Sequence, residues 1–178
     1  MTALPLLPFG LAVFLFGHSD GPPPATTGGF GEQTCHACHF DNPPHPPSEV
    51  LSLEAPPRFE PGENYLITVR ITRKGIKSGG FQLSSRFTGT GDQAGSLQPL
   101  DGRTSLTSDG TGSIFYIQHT REGQKLTGES EAKWQFSWQA PGRRAPVVMH
   151  VAANAANHDA SELGDLIFTT ELTIQPAK

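Results

Sequence analysis

This sequence has no basic stripe, no sustained helical period and no glycine loop of the phosphate-binding kind. Its 13 Lys and Arg residues are scattered and the formal net charge is −4, so a row of nucleic-acid phosphates has little to pair with. Nucleic acid is not an expected partner. No Gly-x-Ser-x-Gly elbow and no His-Glu-x-x-His pair is present, so the hydrolytic chemistries built on them are excluded and no substrate is expected. Charged residues make up only 17% of the chain, while 20 Gly and 16 Pro punctuate it. That balance favours short strands and turns over helices. Cysteine is scarce as well, and both copies lie within four residues of each other, at Cys35 and Cys38.

The chain starts with an apolar run, Leu4, Leu6, Leu7, Phe9, Leu11, Val13, Phe14, Leu15 and Phe16, followed by His18, Ser19 and Asp20. Residues 1–20 read as a signal peptide or a short membrane anchor, although a positive start and a small-x-small site are lacking. Roughly 15 apolar residues fall short of the ~20 that cross a bilayer comfortably, and no other segment could span one. The expected location is periplasmic or otherwise extracytoplasmic. About 150 residues then remain, which suits one domain with one core.

Residues 21–47 are rich in Gly and Pro and enclose the cysteines, which predicts a loop or single helical turn laid against the domain. From residue 48 to 178 the pattern has period two. Tyr65, Ile67, Val69 and Ile71 share one face of a strand, and similar runs cover 80–87, 113–119, 133–139, 146–151 and 165–174, with shorter ones at 49–54 and 103–107. Seven or eight strands separated by turn signals such as Pro61-Gly62 and Asp109-Gly110 predict an all-β, immunoglobulin-like antiparallel β-sandwich. Residues 152–157 are read as a helical turn. No repeat is visible.

The cysteines form Cys35-His36-Ala37-Cys38-His39, the Cys-x-x-Cys-His pattern of c-type haem attachment. Two thiols three residues apart can each form a thioether to one haem vinyl group, and the next residue sets an imidazole beneath the iron. One haem c is therefore expected on Cys35 and Cys38, with His39 as proximal ligand. Competing readings are a Cys35–Cys38 disulfide, which would leave His39 without a role, a thioredoxin-like pair, for which no βαβ unit is present, and a zinc site built from Cys35, Cys38 and two of His36, His39 and His45.

A six-coordinate iron needs a second axial ligand. His119 closes the strand Ile114-Phe115-Tyr116-Ile117-Gln118, on the face of Phe115 and Ile117, and is the first choice. His150 and Met149 are alternatives, because adjacent strand positions face opposite sides. Met149 shares its face with Val147 and Val151, as a core residue would. His158, in a polar loop, and His45, between prolines, are read as solvated, and His36 as exposed. Trp134, Phe136, Trp138 and Tyr116 either line a haem cleft or, more simply, form the sandwich core. Asn154, Asn157, Asp159 and Asp165 lack the order of a calcium loop and read as a hydrogen-bonded loop.

Thr-Gly-Gly-Phe-Gly ahead of the cysteines, Tyr116-Ile117-Gln118-His119-Thr120, Trp134-Gln135-Phe136-Ser137-Trp138-Gln139-Ala140-Pro141 and Ala153-Asn154-Ala155-Ala156-Asn157 ending in Gly164-Asp165 resemble the bacterial exported proteins with choice-of-anchor domains. These are similar to the Reelin-type sandwich with an N-terminal c-haem motif. The resemblance covers nearly all of the chain beyond residue 20. It implies a surface or periplasmic haem-bearing sandwich with His119 as distal ligand, and it supplies no reaction. Typical Reelin domains carry disulfides that this chain lacks.

Three functions follow as expectations. The first is a monohaem cytochrome passing single electrons between redox protein partners or within a membrane complex. The second is a five-coordinate haem protein that binds a gas or reacts with peroxide. The third is a structural sandwich that binds a protein partner and carries no haem.

Overall fold

The computed structural model describes residues 20–157, 159, 161 and 163–178. The leader expected before residue 20 and the expectation on His158 lie outside the described residues. Among the described residues there is no α-helix, and ten strands form two sheets. The strands are β1 (Leu51–Glu54), β2 (Arg58–Phe59), β3 (Asn64–Thr72), β4 (Ser78–Phe87), β5 (Ser96–Pro99), β6 (Thr104–Ser108), β7 (Phe115–His119), β8 (Glu131–Gln139), β9 (Val147–Ala156) and β10 (Leu166–Pro176). One sheet has the order β1-β3-β8-β5, the other β2-β10-β9-β4-β7-β6. The pairing is antiparallel throughout, apart from a two-residue parallel contact of β2 with β10. The immunoglobulin-like sandwich read from the sequence is the fold that forms.

Alternation dictates the core. On β8, Ala132, Trp134, Phe136 and Trp138 are buried while their neighbours are only half-buried or exposed. They face Phe81, Leu83, Val147, Met149, Val151 and Phe168 of the second sheet. Phe81 packs on Trp134 with ring centroids 4.7 Å apart. Each indole N–H finds a carbonyl, Trp134 Nε1 at Gly123 (2.8 Å) and Trp138 Nε1 at Ala94 (3.0 Å), so these rings are buried without stranding a donor. Trp134, Phe136 and Trp138 are thus core residues and do not line a cleft beside the cysteines.

The second sheet is covered on both faces. All ten residues of β4 are buried, although Ser78, Gln82, Ser84 and Arg86 face away from the core. Gln82, Ser84 and Arg86 are covered by the segment 20–47, laid across the sheet as a third layer. Gln82 Oε1 accepts from Thr26 N (2.8 Å), and Gln82 Nε2 donates to Pro23 O and to Gln118 Oε1, both at 3.0 Å. Glu32 pairs with Arg86, and the Tyr116 hydroxyl donates to Glu32 at 2.6 Å. His45 N donates to Ile167 O (2.8 Å) and its ring stacks on Phe168, so this histidine is docked on the sheet and is not solvated as expected.

Two expectations on elements change. Residues 152–156 continue β9 instead of forming a helical turn, because Ala152, Ala153 and Ala155 fit between β4 and β10 and are buried on both faces. Tertiary pairing overrides the helical preference of alanine here. The short strands β2 and β5 had no alternation to announce them.

Candidate functional site

The motif forms a single tight turn. Thr34 Oγ1 accepts from His36 N (3.2 Å), while the Cys38 and His39 N–H groups both return to Cys35 O (3.3 and 3.1 Å). This turn lies flat on the outer face of the six-stranded sheet, so its two thiols differ. Cys35 is buried against Ala152 and Ile167; Cys38 is exposed. Both are free thiols, not the disulfide that one reading allowed. Burial pushes the Cys35 thiol up to about 12, which keeps it protonated and unlike the depressed thiol of a redox pair.

His39 is held from beneath. Its Nδ1 lies 2.8 Å from Asp165 Oδ2, with the imidazole 28% and the carboxylate 2% exposed. Asp165 also accepts from Asn154 Nδ2 (2.9 Å) and from Asn157 N (3.1 Å). Burial alone would raise this carboxyl; the bonds from His39, Asn154 and Asn157 outweigh it and leave it below the ordinary value. Among the described residues, His39 Nε2 meets only the Asn154 amide, at 3.4 Å. A histidine whose Nδ1–H is bonded to a carboxylate presents the Nε2 lone pair, the usual preparation of an axial ligand.

His119 comes to the same end of the same sheet. Its imidazole lies beside β4 at the point where the β4–β7 ladder stops, and Nδ1 accepts from Phe81 N at 3.0 Å. The ring rests on Gly80, where a Cβ would lie 2.8 Å from its Cε1. Gly80 pairs with Asn154, the residue that touches His39. Burial lowers the His119 pKa, the Phe81 carbonyl 3.2 Å from Nδ1 opposes this because it can accept from a protonated ring, and the charge of nearby His39 lowers it further. His119 Nε2 has no hydrogen-bond partner among the described residues.

The other candidates lie elsewhere. Met149 is fully buried between the sheets and faces away from the motif. His150 is on the outer face, but Nε2 is bonded to Glu171 (2.8 Å), and its ring is packed by Phe30 and Gly29. It lies four positions from Asn154 on β9, about 13 Å along the strand. Burial lowers the His150 pKa against the opposing pull of Glu171. Of the distal candidates, the structure brings His119 to the end of the sheet where His39 sits and leaves His150 and Met149 apart. Tyr116 is committed to Glu32 and Arg86.

Among the described residues no three His, Cys, Asp or Glu side chains gather as a metal-binding group, so the zinc reading finds no cage. A haem makes a smaller demand, since the porphyrin fills four iron positions and the protein adds one or two axial ligands. The donor set of the turn suits it: two unoxidised thiols and an imidazole with Nδ1 already engaged. Asn154 Oδ1 is buried with no hydrogen-bond partner among the described residues. Phe40 (64% exposed), two residues after Cys38, and Leu163 (50%) are exposed apolar side chains, and the bond from Gly164 N to Asp41 Oδ2 (3.1 Å) ties their chain neighbours together. A separate cavity of about 500 Å³ is lined by Lys77, Ser78, Arg121, Gln124, Lys125 and Leu126. The sequence reading missed Asp165, Asn154 and Gly80 as parts of the site; only the β4–β9–β10 register assembles them.

No family model and no curated protein matches the chain. Among solved structures it is similar to the reeler domain of human F-spondin, with TM-score 0.46 and 17% identity over 74% of this chain and 95% of that one. A cohesin module from a Clostridium perfringens family 33 glycoside hydrolase gives TM-score 0.48 and 8% identity over 71% and 94%. An uncharacterized Nocardia farcinica protein with an immunoglobulin-like fold gives 0.39 and 12% over 70% and 97%. The likeness concerns the fold alone.

Proposed function

We propose that this β-sandwich carries one covalent haem c on its third layer, through Cys35 and Cys38 with His39 as proximal and His119 as distal ligand, and serves as a single-electron carrier. The observation that carries this reading is the 2.8 Å bond from His39 Nδ1 to the buried Asp165 carboxylate, which leaves Nε2 available beside two free thiols. When bound, haem supplies a one-electron iron couple whose potential depends on axial ligands and burial. The chain's own residues do the rest: the turn fixes the spacing of thiols and imidazole, Phe81 N–H orients His119, and Phe40 and Leu163 provide apolar cover. The partners on this reading are redox proteins outside the cytoplasm, at a membrane or free.

A second reading, a sandwich that binds a protein partner without haem, is favoured by the burial of Cys35 against Ala152 and Ile167. One experiment separates the two. The chain is expressed with and without a c-haem maturation system, and mass and absorption spectra are recorded for wild type and His119→Ala. Covalent haem with a low-spin spectrum that turns high-spin in the variant supports the carrier. Wild type without haem leaves the interaction module, and haem that is high-spin from the outset points to gas or peroxide chemistry.

A further inference from the structure

Asp165 is almost wholly covered, yet among the described residues no Lys or Arg is its partner: it accepts from an imidazole, a side-chain amide and a backbone N–H. A carboxylate in such a place is costly unless its oxygens are bonded, and here both are: Oδ2 by His39 and Asn154, Oδ1 by Asn157 N. Its position is set from three directions, since Asn154 is fixed by the β9–β10 register, Asn157 follows β9 directly, and the Asp165 carbonyl accepts from Asn42 Nδ2 of the third layer (3.1 Å). The result is a negative charge held against the far nitrogen of the candidate axial imidazole.

We infer that Asp165 is the positioning residue of the proximal ligand: it holds the proton on His39 Nδ1, leaves the Nε2 lone pair free beside the Asn154 amide, and its charge favours the ferric over the ferrous state. This rests on the haem reading and specifies how that site is tuned. An anionic partner on the outer nitrogen makes the imidazole a stronger donor. The extra negative charge also offsets the additional positive charge of ferric iron. Losing it therefore raises the reduction potential of the step in which ferric iron takes one electron from a mediator and becomes ferrous. The Asn154 and Asp165 side chains, considered from the sequence as oxygen ligands for calcium, thus serve an imidazole.

The test is a potentiometric titration of the haem-loaded wild type, Asp165→Asn and Asp159→Asn. Asp159 is a loop carboxylate bonded to Asn157 and Ser161, and its loss controls for local charge. The amide at 165 is expected to shift the redox equilibrium about tenfold toward the ferrous form, a rise of about 59 mV for one electron, and the control less than twofold. Covalent haem with an Asp165→Asn potential within twofold of wild type overturns the inference while leaving the haem reading intact. Absence of covalent haem from the wild type overturns both. Because Asp165→Asn can fail to fold, the ferrous wild type is also examined by NMR. A slowly exchanging His39 Nδ1 proton is expected, and rapid exchange with water defeats the inference by itself.

Discussion

Glu32 is the anchor of the third layer, and its removal tests whether that layer is docked by a buried charge. Its carboxylate pairs with Arg86, the two side chains being 8% and 9% exposed, and accepts from the Tyr116 hydroxyl, which in turn accepts from Arg86 Nη2 at 2.7 Å. Replacing Glu32 by Gln keeps the shape and removes the charge, leaving a guanidinium under the layer with no carboxylate. Breaking a buried pair this way costs about 3–5 kcal/mol. Part of that is avoided if residues 20–47 lift off and let water reach Arg86. Two readouts are therefore needed: urea unfolding followed by the fluorescence of Trp134 and Trp138, which lie in the core and report the sandwich, and limited proteolysis within 20–47, which reports docking. The expectation is faster cleavage of the layer together with a loss of global stability smaller than the full cost. The double variant Glu32→Gln/Arg86→Met should recover much of the loss, since removing both charges leaves neither uncompensated. Losses below about 1 kcal/mol in each single variant, with no coupling between them, would make the pair no better than an exposed one and refute the argument.

Thiol labelling of the protein made without haem should modify Cys38 quickly and Cys35 at least tenfold more slowly, since only the first is exposed and the second stays protonated; equal rates would mean that the turn is not seated on the sheet. Gly80→Ala should displace His119, because the new Cβ would lie 2.8–3.2 Å from three ring atoms. The cost should be about 1–3 kcal/mol by urea unfolding, and the loaded protein should show part of its spectrum as high-spin. Acidification should weaken the unloaded protein below pH 6.5, the ordinary histidine value, because the unfolded chain takes up a proton that burial denies to folded His119. The loss should continue down to the lowered folded value, and His119→Gln should flatten that part of the stability curve.

The strands with clear alternation were legible because one face of each meets the core: β3, β4 and β8 fall within a few residues of the sequence reading. The third layer was not. Gln82, Ser84 and Arg86 have the polarity of a solvent face, and nothing local says that Pro23, Thr26, Thr27 and Glu32 will bond to them. Cys35, Cys38 and His39 were visible because their chemistry is written in five consecutive residues. Asp165 could not be, since its bond to His39 depends on which strand lies beside β9 and in what register. His119 was found as a strand-end histidine on the face of Ile117, but the structure turns its ring onto Gly80, a placement set by the absence of a Cβ on a neighbouring strand.

The seat of the motif is made long after the motif itself. His39 meets Asn154, 115 positions later in the chain, and Cys35 rests on Ile167 of β10. At about 5–20 residues per second, synthesis needs roughly 6–23 s to cover that 115-residue interval. Until then the cysteines have no surface to close against, and pairings this distant are slow to form even in a finished chain. Vectorial synthesis thus grants any enzyme acting on the two thiols a period in which both are equally accessible, and the arrival of β9 and then of β10 ends it.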